Sequence, residues 1–224
     1  MAVRAGAGDT SLIGLVLAAA GSGSRFGSDT PKQFIPFEGK PLYLHALERF
    51  SSFFEVAVLV LPEGWKERVE NQVGSLSYRD RLFLEIGGPR RQDSVYQGLN
   101  RLGEDIEMVL VHDAARPFTS SELIAAVIEQ TRQHEACVPV VPVADTLKQV
   151  SDGRIVRTLD RKGLSLVQTP QGFEINLLKR AFQQAIQDGF YGTDEAALVE
   201  RLGSPVHVVA GERSNLKVTC KGDL

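Results

Sequence analysis

Short continuous apolar runs alternate along this chain with longer stretches in which apolar residues recur every three or four positions. Runs at Leu12–Ala18, Glu55–Leu61, Leu82–Ile86, Met108–His112, Ala136–Val143 and Val206–Ala210 predict strands, the most apolar of them buried on both faces. The intervening segments carry a helical period. Pro41–Phe50 places Leu44, Leu47 and Phe50 on one side, and Glu63–Val73 and Gln92–Leu102 follow. Thr119 and Glu122 have the spacing of a capping box that opens another helix. Glu174–Asp188 carries the stripe Ile175, Leu178, Phe182, Ala185 and Ile186 and stops at Gly189; Thr193-Asp194 caps a last helix to Leu202. This alternation predicts an α/β fold: a Rossmann-like, open, mainly parallel twisted sheet with helices on both faces.

The rhythm breaks over about 142–166. Ser151-Asp152-Gly153 reads as a tight turn between Leu147–Val150 and Ile155–Leu159, and so as an inserted β-hairpin arm. A two-stranded ribbon is marginal alone, so the arm needs a surface to pack on. A partner subunit and its own domain both remain open at this point. Residues 12–224 read as one domain and 1–11 as a loose tail.

Composition narrows the function classes. With 224 residues, 43% hydrophobic and 24% charged, the chain has ample core for one α/β domain. A net charge of -3 argues against a general binder of nucleic acid or of membrane surfaces. No apolar run approaches a transmembrane length, and Met1–Ser11 lacks the apolar stretch of a signal peptide; a cytoplasmic protein is expected. Cys137 and Cys220 are far apart and read as free thiols, and His45, His112, His134 and His207 fit no metal-ligand spacing.

The candidate chemistry lies where strands end. In an open α/β sheet, ligands bind outside the carboxyl ends of the strands. Three polar, small-residue exits meet that condition: Gly21–Lys32, Gly87–Ser94 and Asp113–Arg116. The first leaves the Leu12–Ala18 run through Ala19-Ala20-Gly21-Ser22-Gly23-Ser24-Arg25 and reaches Pro31-Lys32-Gln33. Its small residues expose backbone amides to an anion, and Arg25 and Lys32 add charge. It is no dinucleotide fingerprint, because Phe26 stands where the third glycine belongs. Nor is it a P-loop, because no glycine precedes Lys32. Taken singly, each exit also reads as an ordinary turn or helix cap.

Taken together they resemble the sugar- and polyol-phosphate nucleotidyltransferases, and within them the 2-C-methyl-D-erythritol 4-phosphate cytidylyltransferase family. The resemblance runs through Ala19–Arg25, Pro31-Lys32-Gln33, Gly87-Gly88 with Arg91, Ser94 and Gly98, Val111–Pro117, Asp145-Thr146, Asp160–Leu164, Gln168–Gln171 and Asn215–Thr219. It implies CTP and a polyol phosphate as substrates, a divalent cation, Mg²⁺, and a homodimer formed through the arm. It implies that Ala19, Ala20, Gly88 and Ser94 line the cytosine pocket, and that Gly21 and Ala114 lie near the ribose. Gly23, Arg25 and Lys32 would hold the triphosphate. Asp113 would sit between ribose, metal and substrate, as the one metal-side carboxylate. Lys217 would reach the α-phosphate and the incoming phosphate. Arg116, Thr146 and Arg161 would hold the polyol phosphate from the second subunit. Arg25, Lys32 and Lys217 are then the catalytic cations.

Physical chemistry agrees with such a site. A phosphate nucleophile has a second pKa of about 6 and is already anionic near neutrality, so no general base is needed. The protein must align two anions and stabilise charge gathering on phosphorus. One departure is Pro89, which offers no amide hydrogen beside the base pocket. The family usually continues into a further helix beyond the position of Leu224; Lys217 is retained. A ribitol 5-phosphate cytidylyltransferase is the nearest rival, and a CTP-binding protein without turnover is the rival of another class.

Overall fold

The computed structural model describes residues 11–21 and 30–224. Elements follow in the order β1 (Ile13–Ala18), β2 (Pro36–Phe37), β3 (Lys40–Pro41), α1 (Leu42–Arg49), β4 (Val56–Leu61), α2 (Lys66–Val73), β5 (Leu82–Ile86), α3 (Arg91–Arg101) and β6 (Met108–Asp113). Then come α4 (Ser121–His134), β7 (Ala136–Pro142), β8 (Leu147–Ser151), β9 (Arg154–Leu159), β10 (Ser165–Val167), β11 (Gln171–Glu174), α5 (Ile175–Gln187), α6 (Glu195–Arg201) and β12 (His207–Ala210). The Rossmann-like α/β architecture is as the sequence predicts.

One mixed sheet runs β5-β4-β1-β6-β11-β7-β12, with β10 continuing the β11 side of β7. Strands β5, β4, β1 and β6 are parallel to one another, and β11 enters antiparallel between β6 and β7. From β1 the chain winds outward through β4 and β5, then crosses back to place β6 on the other side of β1. The reversal puts a topological switch point, the usual ligand crevice of such sheets, between β1 and β6.

The period of two along each strand sorts the core. Leu15, Leu17, Leu59 and Leu110 pack with α1, α2 and α4 on one face. Val16, Val58, Val60, Val109 and Val111 pack with α3, α5 and α6 on the other. Helix α3 lies close on the sheet because of Gly98: a Cβ there would stand 2.7 Å from Val16 Cγ1 and 2.8 Å from Val60 Cγ2.

Three readings need correction. Strands β10 and β11 are additional to the predicted set; Gln171–Glu174 offers one apolar residue, Phe173, and no run. The cap of α4 is Ser120, whose hydroxyl accepts from the Leu123 amide, and not Thr119. Pro41 is the cap of α1 rather than part of its first turn. Strands β8 and β9 pair antiparallel as their own two-stranded sheet, closed by Asp152 (φ 50°) and Gly153 (φ 74°). Positive φ at both central residues matches the twist of the strands. Val150, Ile155 and Val156 on this ribbon are 58–65% exposed. Among the described residues no helix is long and apolar enough to cross a membrane.

Candidate active site

The carboxyl ends of β1, β5 and β6 open into a cavity of about 430 Å³, in the size range of small-molecule sites. Each wall has a local cause. Where β1 ends, Ala19 donates its amide to Val60 O at 2.9 Å, and the buried Gln33 side chain donates to Ala19 O and, at 2.8 Å, to Gly21 O. Gln33 thereby pins the start of the loop. Its neighbour Phe34 is stacked on Trp65 with centroids 4.0 Å apart, which fixes the 3₁₀ turn that carries Lys32.

The second wall is the β5–α3 turn. Gly87 donates to Leu61 O at 2.8 Å. A Cβ on Gly87 would fall 2.4 Å from Ala20 Cβ and 2.6 Å from Ser94 Oγ, so only glycine lets the turn meet the first loop. Gly88, Pro89, Arg90 and Ser94 complete a small, mostly uncharged end of the cavity.

The third wall carries the charge. Asp113 ends β6, with its amide donating to Thr169 Oγ1 at 3.1 Å. That hydroxyl lies 3.0 Å from His112 Nδ1, and His112 Nε2 lies 3.1 Å from Arg116 O. An imidazole protonated at Nε2 satisfies the whole chain: amide to hydroxyl, hydroxyl to Nδ1, Nε2–H to carbonyl. Burial lowers the His112 pKa to about 4 and keeps the ring neutral.

The tail is stitched onto this edge. Asn215 is fully buried; it accepts the Thr119 hydroxyl at 2.9 Å and donates to Thr169 O at 2.9 Å. Val218 donates to Ala115 O at 2.8 Å, and Lys32 Nζ donates to Val218 O at 2.7 Å. These bonds bring Lys217 to the β6 exit, where Nζ lies 2.6 Å from Asp113 Oδ2. Arg91 Nε holds the other oxygen, Oδ1, at 3.1 Å. Burial would raise the Asp113 carboxyl, but Arg91 and Lys217 overcome it and hold it well below the usual carboxylate range. Arg91 in turn donates from both terminal nitrogens to the buried Glu195, at 2.7 and 3.0 Å.

Of the residues singled out from sequence, Ala20, Gly21, Lys32, Gly88, Ser94, Asp113 and Lys217 line the cavity. Ala19 and Ala114 lie just beneath it, with Ala18 and Ala115 at the surface of the cavity in their place. Arg116 sits behind the site, donating from Nη1 to Asn215 O at 2.7 Å. Thr146 and Arg161 belong to the arm segment and do not line this chain's cavity; Arg161 donates to Ala144 O. Gly23 and Arg25 lie outside the described residues. Sequence reasoning gave no role to Gln33, Arg91 or Glu195. Arg91 was visible as part of a motif, whereas no local signal marks Glu195, which looks like an ordinary first-turn acid beside the Asp194 cap.

The donor set suits an anionic ligand. Among the described residues Lys32, Arg90, Arg91 and Lys217 line the cavity with one carboxylate, Asp113. Among the described residues no three His, Cys, Asp or Glu side chains gather in a metal-binding group.

Comparison with known proteins gives the same direction. The family model for IspD, 2-C-methyl-D-erythritol 4-phosphate cytidylyltransferase, matches residues 13–224. A 2-C-methyl-D-erythritol 4-phosphate cytidylyltransferase of Symbiobacterium thermophilum is 44% identical over 212 residues, covering 94% of this chain and 89% of that protein. The crystal structure of the enzyme of that name from Thermus thermophilus superposes with a TM-score of 0.79 at 34% identity, over 93% of each chain. That of the 4-diphosphocytidyl-2C-methyl-D-erythritol synthase from Anaerococcus prevotii gives 0.83 at 27% identity, over 96% of this chain and 95% of that one. The chain belongs to the IspD family of 2-C-methyl-D-erythritol 4-phosphate cytidylyltransferases.

Proposed function

We propose that this chain transfers the cytidylyl group of CTP to 2-C-methyl-D-erythritol 4-phosphate. The products are 4-diphosphocytidyl-2-C-methyl-D-erythritol and pyrophosphate, in the non-mevalonate route to isoprenoid precursors. The observation that carries the reading is the meeting of Lys32 and Lys217 beside Asp113 at the switch point, although 185 and 104 residues of chain separate Lys217 from them.

The substrate phosphate oxygen forms a bond to the α-phosphorus, and the bond from that phosphorus to the pyrophosphate oxygen breaks. The nucleophile needs no proton removed, so neither His112 nor another base takes part. Lys32 and Lys217 stabilise the charge that builds on the α-phosphate, and Arg25 supports the triphosphate from the glycine-rich loop with Gly23. Ala20, Gly88 and Ser94, with Ala19 behind them, fit a flat base at the uncharged end of the cavity. Gly21 and Ala114 lie on the ribose side. Asp113 is the side chain that would touch Mg²⁺, which when bound neutralises the leaving pyrophosphate.

The apolar exposure of the β8–β9 ribbon supports a homodimer through the arm. Thr146 and Arg161 would then hold the polyol phosphate in the partner's site, and Arg116 would brace the Lys217 segment next to it. The test is product identification by mass spectrometry after incubation with CTP, Mg²⁺ and either methylerythritol 4-phosphate or ribitol 5-phosphate. A CDP-polyol from the first alone is expected. A product from ribitol phosphate would reassign the substrate, and CTP binding with no product from either would leave a nucleotide-binding protein.

A further inference from the structure

Glu195 is 1% exposed, lies beneath the cavity, and has both oxygens on Arg91. It is held rigidly. The Asp194 cap accepts from Ala197 N at 3.1 Å and from Gln171 Nε2 at 2.8 Å, while Gln171 Oε1 accepts from Ala196 N at 3.2 Å. The preceding loop is tied to α3 by Gln92, which accepts from Gly192 N at 2.9 Å and donates to Phe190 O at 3.1 Å. The carboxylate therefore meets the guanidinium end-on, taking one N–H from each terminal nitrogen and fixing the orientation of the group. So oriented, Arg91 reaches Asp113 through Nε, on a single oxygen, Oδ1.

We propose that Glu195 is a positioning residue for the transfer reaction: by fixing the orientation of Arg91 through both terminal nitrogens it keeps Asp113 Oδ2 for Lys217 and for the bound nucleotide. A guanidinium free to turn matches a carboxylate at two points, with both terminal nitrogens or with Nε and one of them. Without Glu195 the fork turns onto Asp113, takes both oxygens and displaces Lys217. A purely structural tie would explain the burial less well. A buried ion pair adds little net stability compared with apolar residues of the same volume. Here the arginine is shared with Asp113, the one lining carboxylate among the described residues. The inference rests on the transfer reaction proposed above.

Glu195→Gln separates the two roles. A glutamine keeps the volume, but its amide N–H faces a guanidinium N–H and the charge is gone. The expected result is a variant that is less stable, because Arg91 loses its buried partner, yet folded at the assay temperature, with a KM for CTP within threefold and kcat lowered at least tenfold. In a Lys217→Ala background the same replacement should cost less than threefold, because the group it positions is already gone. An equal fold-loss in both backgrounds, or no loss in either, overturns the proposal. If the glutamine variant does not fold, Glu195→Asp serves: it keeps the charge but is one methylene too short to span both nitrogens, and it should show the same background dependence. A crystal structure of the variant gives a reading independent of turnover. Arg91 terminal nitrogens on both Asp113 oxygens are expected, and an unchanged single Nε contact overturns the proposal. Should wild type itself show no transfer, the function proposed above fails, and this geometry still decides the positioning claim.

Discussion

Lys32 shows most simply how one residue acquires a role here. Its ammonium is held at the cavity by Val218 O, a carbonyl of the tail, and by the Phe34–Trp65 stack behind its turn. It is thus placed before any ligand arrives, which is what stabilisation of a developing charge requires. Lys32→Ala should lower turnover by a factor of several hundred, about 3 to 4 kcal/mol of barrier, with only modest weakening of CTP binding. Steady-state kinetics with a separate CTP titration checks this, and turnover within tenfold of wild type would remove the role. His112 makes a second prediction at this scale. Its pKa falls from 6.5 to about 4 in the folded protein because burial disfavours the charged ring. Between those values the unfolded chain binds the extra proton. His112 therefore contributes fully to stability above about pH 6.5, and that contribution is lost as pH falls towards 4, by about 3 kcal/mol. Urea unfolding across this range should show the slope in wild type and a flatter one in His112→Asn. The variant should also be less stable at pH 7, because Thr169 and Arg116 lose a buried partner.

At the scale of elements, what the sequence shows depends on whether an element's cause is local. The β1, β4, β5 and β6 runs and the α5 stripe were legible because their burial is written in neighbouring residues. Strands β10 and β11 were not, because their place is set by pairing with β7 and, for β11, with β6. Thr119 matched a capping pattern but spends its hydroxyl on Asn215, 96 positions away, leaving the cap to Ser120. The site divides in the same way. Its three exits could be found from glycine and charge at strand ends, whereas Glu195 and Gln33 act only through contacts that the fold creates. Helix α3 offers a test of packing at this scale. Gly98→Ala gains up to about 1 kcal/mol of helix propensity, but forces a methyl into Val16 and Val60 at a cost of about 1 to 3 kcal/mol. A net loss of about 1 kcal/mol is expected, or a thermal midpoint lower by about 2 to 4 °C. A raised midpoint would mean that α3 is free to lift from the sheet.

At the scale of the whole molecule, the sheet brings distant segments to one edge, while the arm leaves apolar surface uncovered. Val150, Ile155 and Val156 are exposed on a two-stranded ribbon, and the homodimer proposed above would cover them. Ile155→Asp should shift the sedimentation of the protein from dimer to monomer without changing its circular dichroism, and should lower turnover with it if Arg161 works in the partner's site. Dimers persisting unchanged would place the interface elsewhere. In the reaction proposed for the β1–β6 switch point, aligned cations let a phosphate attack CTP directly, with no protein nucleophile and no base. The most direct measurement is the configuration at phosphorus after turnover of CTP carrying a chiral α-phosphorothioate. Inversion is predicted, as a single in-line displacement requires; retention would mean a covalent cytidylyl-enzyme intermediate and would contradict the account.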